Sequence, residues 1–211
     1  MIAVIALRIW ARRLALVSFL LSWAMGGREA FLPDAEAAQF TAGQLLVATA
    51  EMRDPRFAEA VIYMVRHDAE GAMGLVINRP MAKGPIKDLL QGFGIEDADA
   101  KGEIIIHYGG PVSAGAGFVL HSDDVLLDDS RKVKDGIAMT ANAKLIEEMA
   151  RGKGPRQSLV IFGYSGWAPG QLENELEAGA WHVVPADKNL VFGKEADKKW
   201  RQAMDRRRIS L

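Results

Sequence analysis

The spacing of hydrophobic residues changes repeatedly after residue 40, and this alternation constrains the fold more than any other feature of the chain. Short runs rich in β-branched residues alternate with segments in which apolar residues recur every three or four positions. The first spacing is typical of strands and the second of helices, so the pattern indicates an α/β domain with helices layered on a sheet. The sequence contains no internal repeat and no long linker. We therefore expect one domain, from residue 38 to residue 211.

Six strands and four helices follow from this spacing. The strands are predicted at residues 44–49, 60–65, 74–78, 104–107, 117–121 and 159–163. Asp68 and Gly71 lie between the second and third strands and suit a turn, so we expect those strands to pair as an antiparallel hairpin. Each helix is marked by one apolar stripe. The stripes are Ile86, Leu89, Leu90 and Phe93; Leu145, Ile146 and Met149; Leu172 and Leu176; and Ala196, Trp200 and Met204.

Residues 1–37 read as a hydrophobic leader. Three arginines precede an uncharged run at residues 14–27, and an Ala-x-Ala sequence ends at Ala37, which is the order found in signal peptides. The arginines are Arg8, Arg12 and Arg13. Because the run is shorter than the roughly 18 to 20 residues that span a bilayer, we expect export to the periplasm. Two alternatives stay open: an uncleaved membrane anchor that also uses residues 1–7, and translation from Met25, which would leave the protein in the cytosol.

Charge and cysteine content exclude several functions. The chain carries 26 Lys and Arg against 27 Asp and Glu, whereas nucleic-acid-binding domains usually show a clear basic excess. The basic residues near the C-terminus are interrupted by acidic ones, so we expect a solvated helix surface there and no contact with DNA. The absence of cysteine excludes disulfides, thiol catalysis and thiolate metal sites.

Motifs for catalysis are incomplete. The segment GYSGW at residues 163–167 has Trp167 where a G-x-S-x-G nucleophile motif has glycine, so Ser165 is not expected to be a nucleophile. No Walker-type phosphate loop and no dinucleotide-binding glycine motif occurs. The four histidines lack the spacing with which one helix holds a metal. The residues therefore predict no catalytic set, no metal site and no cofactor.

Glycine and aromatic clusters carry a family resemblance. They are GQLLVA at 43–48, GAMGLVINRP at 71–80, YGGPV at 108–112, GFVLH at 117–121 and FGYSGWAPGQLENE at 162–175, followed by Ala180 and Trp181. In this order and spacing, from about residue 41 to residue 200, the chain closely resembles the YqgE/AlgH family of bacterial proteins. The resemblance implies a compact α/β fold with a mixed, bifurcated, barrel-like sheet, and a role in transcriptional regulation of alginate synthesis. It implies no established catalytic residues. The leader departs from the family's usual form and speaks against a cytosolic regulator.

Two loops form a hypothetical ligand pocket. If the loops after residues 106 and 162 meet in space, one pocket would be lined by Gly109, Gly110, Ser165, Trp167 and Gln171, with His121 as the nearest candidate base. A helix beginning near Pro169 would point free N–H groups at this place, where an anion could bind. Glu173 could instead satisfy that helix terminus itself.

These observations leave three classes of function. We expect a non-enzymatic regulatory or interaction protein with an unknown protein partner or small ligand. The alternative is a small anionic-ligand binder or an enzyme that uses the Gly109 and Ser165 loops. The third class, DNA binding through the C-terminal basic helix, is not expected, and membrane contact is expected only through an uncleaved leader.

Overall fold

The computed structural model describes residues 40–96 and 99–209. The predicted leader lies outside these residues. Within them, ten strands form one sheet, accompanied by five α-helices. The strands are β1 (Gln44–Ala48), β2 (Val61–Asp68), β3 (Gly71–Val76), β4 (Pro80–Pro85), β5 (Glu103–Tyr108), β6 (Val112–Ser122), β7 (Arg131–Lys134), β8 (Ile137–Thr140), β9 (Ser158–Trp167) and β10 (Trp181–Pro185). The helices are α1 (Ile86–Gly92), α2 (Ala143–Ala150), α3 (Gln171–Glu177), α4 (Lys188–Phe192) and α5 (Lys199–Ile209).

The sheet forks at β9. Its main path runs β10-β1-β2-β3-β9-β6-β8-β7, and β4 and β5 form a branch that also joins β9. The first half of β9 pairs in parallel with β5, and its last three residues pair antiparallel with β3. Along its other edge β9 pairs antiparallel with β6. This fork is the mixed, bifurcated sheet that the family resemblance implied, so the predicted fold class is confirmed.

Both faces of the sheet are covered. In β1, Leu45 and Val47 belong to one core cluster, which α4 and α5 help to close, whereas Leu46 and Ala48 belong to a second cluster that includes Leu172 of α3. Alternate residues of a strand point to opposite faces, so a strand buried on both faces reads as a continuous apolar run. A third cluster packs α1 and α2 against β5, β6 and β9. No helix within the described residues is both long enough and apolar enough to cross a membrane.

All six predicted strands exist, and β2 and β3 form the predicted antiparallel hairpin. Four strands were missed. β4 has prolines at both ends and reads as a loop, while β7, β8 and β10 are too short to show a clear alternation. The strand predicted at residues 159–163 is longer, because β9 continues to Trp167. The helix expected near Pro169 begins at Gln171.

Candidate functional site

The segments after residues 106 and 162 meet in space, and the second of them belongs to strand β9 and is not a loop. The Ser165 hydroxyl donates to the Gly109 carbonyl at 3.1 Å, and Ser165 is only 1% exposed. The Gly109 carbonyl also accepts from the Val76 N–H at 3.0 Å, and the Gly109 N–H donates to the Phe162 carbonyl at 2.8 Å. These bonds join β3, β5 and β9 at the fork. Gly109 and Ser165 therefore form a closed junction between strands and do not line a cavity.

Close backbone approach explains the glycine pair in this junction. A Cβ on Gly110 would lie 2.3 Å from the carbonyl carbon of Tyr164, and the φ of Gly110 is +148°. A Cβ on Gly109 would lie 2.3 Å from the Gly163 carbonyl oxygen. Neither space admits a side chain, so both glycines are required by the fork itself.

His121 lies elsewhere, and its expected place beside the loops is wrong. It pairs with Ser158 at the start of β9, whereas Ser165 is seven positions further on, about 23 Å along an extended strand. The ring is fully buried, with Nδ1 donating to the Ser122 carbonyl and Nε2 accepting from the Thr140 hydroxyl, each at 2.9 Å. Burial lowers the pKa of His121. The sequence did not show that β6 and β9 are long enough to separate these groups.

Glu173 of α3 contacts His67, which in turn is hydrogen-bonded to the start of the described chain. Its Oε1 lies 3.0 Å from Nε2 of the buried His67. Nδ1 of His67 accepts the Thr41 N–H at 3.1 Å, so Nε2 carries the ring proton and donates to Glu173. The backbone N–H of Glu173 itself, followed by the bond from His67, lowers the pKa of this carboxyl. Glu173 thus serves the helix terminus and a buried histidine.

Trp167 and Gln171 border a cavity of about 460 Å³ beside the fork, which we call the indole cleft. Its other walls come from the segment before β2, from the end of α3 and from the start of β10. The further lining residues are Glu51, Met52, Arg53, Asp54, Arg56, Phe57, Pro111, Gly166, Glu175, Ala178, Ala180 and Trp181. Of the predicted pocket residues, only Trp167 and Gln171 line this cleft.

Glu175 fixes the aromatic wall of the indole cleft. Its Oε2 accepts the indole N–H groups of Trp167 at 2.9 Å and of Trp181 at 2.8 Å, and its Oε1 accepts from the Gln171 amide at 2.9 Å. The two indoles meet edge to face, with centroids 6.2 Å apart, and Phe57 meets Trp181 in the same way at 5.6 Å. Edge-to-face contacts at these distances are favourable. The cleft is therefore bordered by a row of three rings held in fixed positions.

The tryptophans have two roles. Trp167 is 7% exposed and Trp181 is 3% exposed, and both belong to the core cluster beneath α3. They also form the floor of the indole cleft.

The rim of the cleft carries two arginines. Arg56 binds Asp54 through Nε at 3.1 Å and Nη2 at 2.7 Å. Arg53 is exposed, and its side chain forms no ion pair or hydrogen bond with any residue that the structure describes. Arg79 donates to the Arg56 carbonyl at 2.5 Å and to the Ala58 carbonyl at 2.6 Å, which fixes the rim segment against the sheet.

Sequence reasoning missed Glu175 and Trp181 as site residues, although a signal was present. Gln171 and Glu175 are four positions apart on a helix, and Trp181 follows after one turn, so local spacing brings these three together. Arg53, Arg56 and Phe57 reach the cleft from a distant part of the chain, and no local pattern marks them.

Three of the C-terminal basic residues are engaged in intramolecular contacts. Lys199 is 1% exposed, and its Nζ donates to the Val191 carbonyl at 2.7 Å and to the Ile77 carbonyl at 3.0 Å. Burial lowers the pKa of Lys199 to about 8. Two further basic residues form ion pairs: Lys198 with Glu195, and Arg206 with Asp187. Across residues 40–96 and 99–209, no group of three or more His, Asp or Glu side chains is placed to hold a metal ion.

A mixed sheet that forks at one strand, with helices on both faces and an aromatic cleft beside the fork, defines a curled half-barrel class of α/β domain. The chain belongs to the AlgH-like family, whose family model matches residues 45–211. The resemblance seen in the glycine and aromatic clusters is thereby confirmed.

Relatives and solved structures agree with this assignment. The chain is 47% identical over 164 residues to a UPF0301 protein of Methylococcus capsulatus, covering 78% of this chain and 90% of the relative. It is 43% identical to a UPF0301 protein of Methylobacterium sp. (strain 4-46), covering 81% and 85%. The solution structure of the AlgH protein from Pseudomonas aeruginosa is similar, with a TM-score of 0.69, 35% identity and coverage of 81% and 90%. A crystal structure of a Corynebacterium diphtheriae protein shares the fold, with a TM-score of 0.64, 22% identity and coverage of 79% and 86%.

Proposed function

We propose that this protein is a non-enzymatic regulatory or interaction protein that works by binding a small ligand in the indole cleft. The observation that carries the proposal is the cleft itself, a cavity of about 460 Å³ bordered by three aromatic rings, of which Glu175 holds the two indoles in place. Protein sites for small molecules are typically concave, about 300 to 1,000 Å³ in volume, and lined by apolar walls with a few placed polar groups. The indole cleft has these properties.

Binding is favoured over catalysis by the state of the nearby reactive groups. Ser165 is buried and donates to the Gly109 carbonyl, so its hydroxyl does not face the cleft. Three N–H groups of the protein already bond to the two oxygens of Glu175, so most of the acceptor positions of that carboxylate are filled. These contacts serve to hold the cleft in shape.

The regulatory part of the proposal rests on family membership. Ligand binding at the cleft would be the input, and an interaction with another protein would be the output. DNA contact is not part of the proposal, since Lys199 is buried and Lys198 and Arg206 are paired with acidic side chains.

A neutral aromatic probe tests the cleft as a binding site. We expect 2-phenylethanol, titrated into the full-length protein, to shift the indole N–H resonances of Trp167 and Trp181 in nuclear magnetic resonance spectra, with saturation at ~1 mM or above, as expected for a small fragment. Trp200 is the internal control, because its indole donates to the Ala48 carbonyl and does not line the cleft. Absence of saturable shifts, or equal shifts at Trp200, would contradict the proposal.

A matched pair of variants locates the probe. Phe57→Ala removes one ring from the cleft wall, and we expect it to weaken 2-phenylethanol binding by about fivefold, as loss of one apolar contact surface should. Phe93→Ala removes a ring of the same kind that is 39% exposed and lies outside the cleft. Equal effects of the two substitutions would show that the probe binds elsewhere.

A further inference from the structure

We infer that the ligand of the indole cleft is a small amphipathic anion, with an aromatic or aliphatic group against the indoles and a carboxylate or phosphate against Arg53 and Arg56. This inference rests on the proposed function and adds the chemical class of the ligand. The charged side chains of the cleft differ in whether their hydrogen-bonding positions are already used within the protein.

Two of the three carboxylates in the cleft are occupied. Glu175 accepts three N–H groups, two from indoles and one from the Gln171 amide. Asp54 accepts the backbone N–H of Arg56 at 2.9 Å and two guanidinium nitrogens of the same residue. The protein therefore fills most of the acceptor positions of these two carboxylates, which leaves them little hydrogen-bonding capacity for a cationic ligand.

The guanidinium groups keep donors free. Arg53 has no side-chain partner among the described residues, so all of its N–H groups are available. Arg56 uses Nε and Nη2 for Asp54, while its Nη1 forms no hydrogen bond in the described part of the chain. A guanidinium presents a planar fork of N–H donors that matches a carboxylate or a phosphate. The free hydrogen-bonding capacity of the rim therefore suits an anion.

Glu51 is the one carboxylate of the cleft lining whose side chain has no bonded partner among the described residues. It is exposed at the rim, two positions from Arg53, and its carboxylate has no partner among the described residues. A cation stacked on the indoles would find this single free carboxylate but would also meet both arginines. The lining carries three carboxylates and two guanidinium groups, so the preference for an anion rests on the free N–H donors of the arginines and not on the net charge of the cleft.

Four phenyl probes of similar size test the inference on the full-length protein: phenylacetate, phenyl phosphate, 2-phenylethanol and phenethylammonium. At pH 7 and low salt, we expect both anions to bind at least about fivefold tighter than the neutral alcohol, and the cation to bind most weakly, since charge–charge contacts at a rim are modest but real. The tighter of the two anions tells whether the site is suited to a carboxylate or to a phosphate.

Three substitutions assign the effect to residues. Arg53→Gln should weaken phenylacetate binding by about fivefold and leave 2-phenylethanol unchanged, because only the anion contacts the guanidinium. Glu51→Gln should strengthen phenylacetate binding by about twofold, since it removes a repelling charge at the rim. Arg201→Gln is the matched control: Arg201 is an exposed arginine outside the cleft, and its loss should change neither affinity.

The outcomes separate this inference from the proposed function. Equal affinity for all four probes, or tightest binding of phenethylammonium, overturns the anion inference while the cleft remains a binding site. The anion inference is also overturned if Arg53→Gln and Arg201→Gln weaken phenylacetate binding equally. Failure of every probe to bind saturably contradicts the proposed function as well.

Discussion

Among single residues, Lys199 makes a strongly pH-dependent contribution to the free energy of unfolding. Its ammonium group is buried and bonded to two carbonyl oxygens, and burial lowers the pKa of Lys199 from 10.5 to about 8. Below pH 8 the lysine is charged in both the folded and the unfolded chain. Between pH 8 and 10.5 only the unfolded chain holds the proton, so the free energy of unfolding should rise with pH, by roughly 3 kcal/mol in total.

Urea unfolding at pH 7.5 to 10.5 measures this rise, and Lys199→Met should abolish it. The difference between the two proteins isolates Lys199, because other titrating groups, such as Tyr63, whose pKa burial raises, are common to both. A rise of the same size in Lys199→Met would assign the pH dependence to another group.

Glu175 is the second residue for which the structure gives a specific stability prediction. Replacing it with glutamine leaves one acceptor oxygen and introduces an N–H group where N–H donors already converge, so at least one indole N–H loses its partner. We expect Glu175→Gln to lower the free energy of unfolding by about 2 to 3 kcal/mol. Glu177→Gln on the same helix, an exposed position, is the control and should change little. Equal stability of the two variants in urea would show that the three bonds contribute nothing.

At the scale of elements, the fork depends on backbone approach at the glycine pair. Gly110→Ala would place a methyl group 2.3 Å from the Tyr164 backbone at a φ of +148°, so β9 and the loop after β5 would have to separate. We expect a loss of about 3 kcal/mol or more in thermal unfolding, which is the range for overpacking combined with backbone strain. Gly115→Ala is the control, because no atom lies within 4 Å of a Cβ built there. Comparable melting temperatures for both variants would mean that the fork is not tightly packed.

The sequence predicted those elements whose characteristic residues are close together in the chain. The hairpin of β2 and β3 was predicted because its turn residues and apolar runs are adjacent in the chain. β4 was not, since prolines at its ends conceal a strand that pairs only with β5. The residues of the candidate site were likewise predicted only where they are close together in the chain. Trp167 and Gln171 were found through a local motif, but Arg53 and Phe57 approach them only through the folded sheet.

For His121 the sequence predicted a site residue that the structure places elsewhere. A histidine in a recurring motif suggested a base, but the strand that carries it places it at the far end of β9 from Ser165. Its two hydrogen bonds hold buried backbone and hydroxyl groups together. The length of a strand decides such distances, and short sequence patterns do not reveal that length.

For the whole molecule, the predicted leader bears on where the proposed ligand-binding domain acts. Its order of basic, apolar and Ala-x-Ala segments predicts export. Sequencing the N-terminus of the mature protein from fractionated cells should then give a periplasmic species that begins near residue 38. A cytosolic species that begins at Met25 would contradict export and would support a role in contact with the transcription machinery.

The central claim for the whole molecule is that the indole cleft binds a small amphipathic anion. The most direct measurement is the set of nuclear Overhauser contacts between phenylacetate ring protons and the full-length protein. We expect contacts to Phe57, Trp167 and Trp181, whose rings form one row along the cleft, and none to Trp200. Contacts confined to other residues, or none at saturating phenylacetate, would contradict the claim.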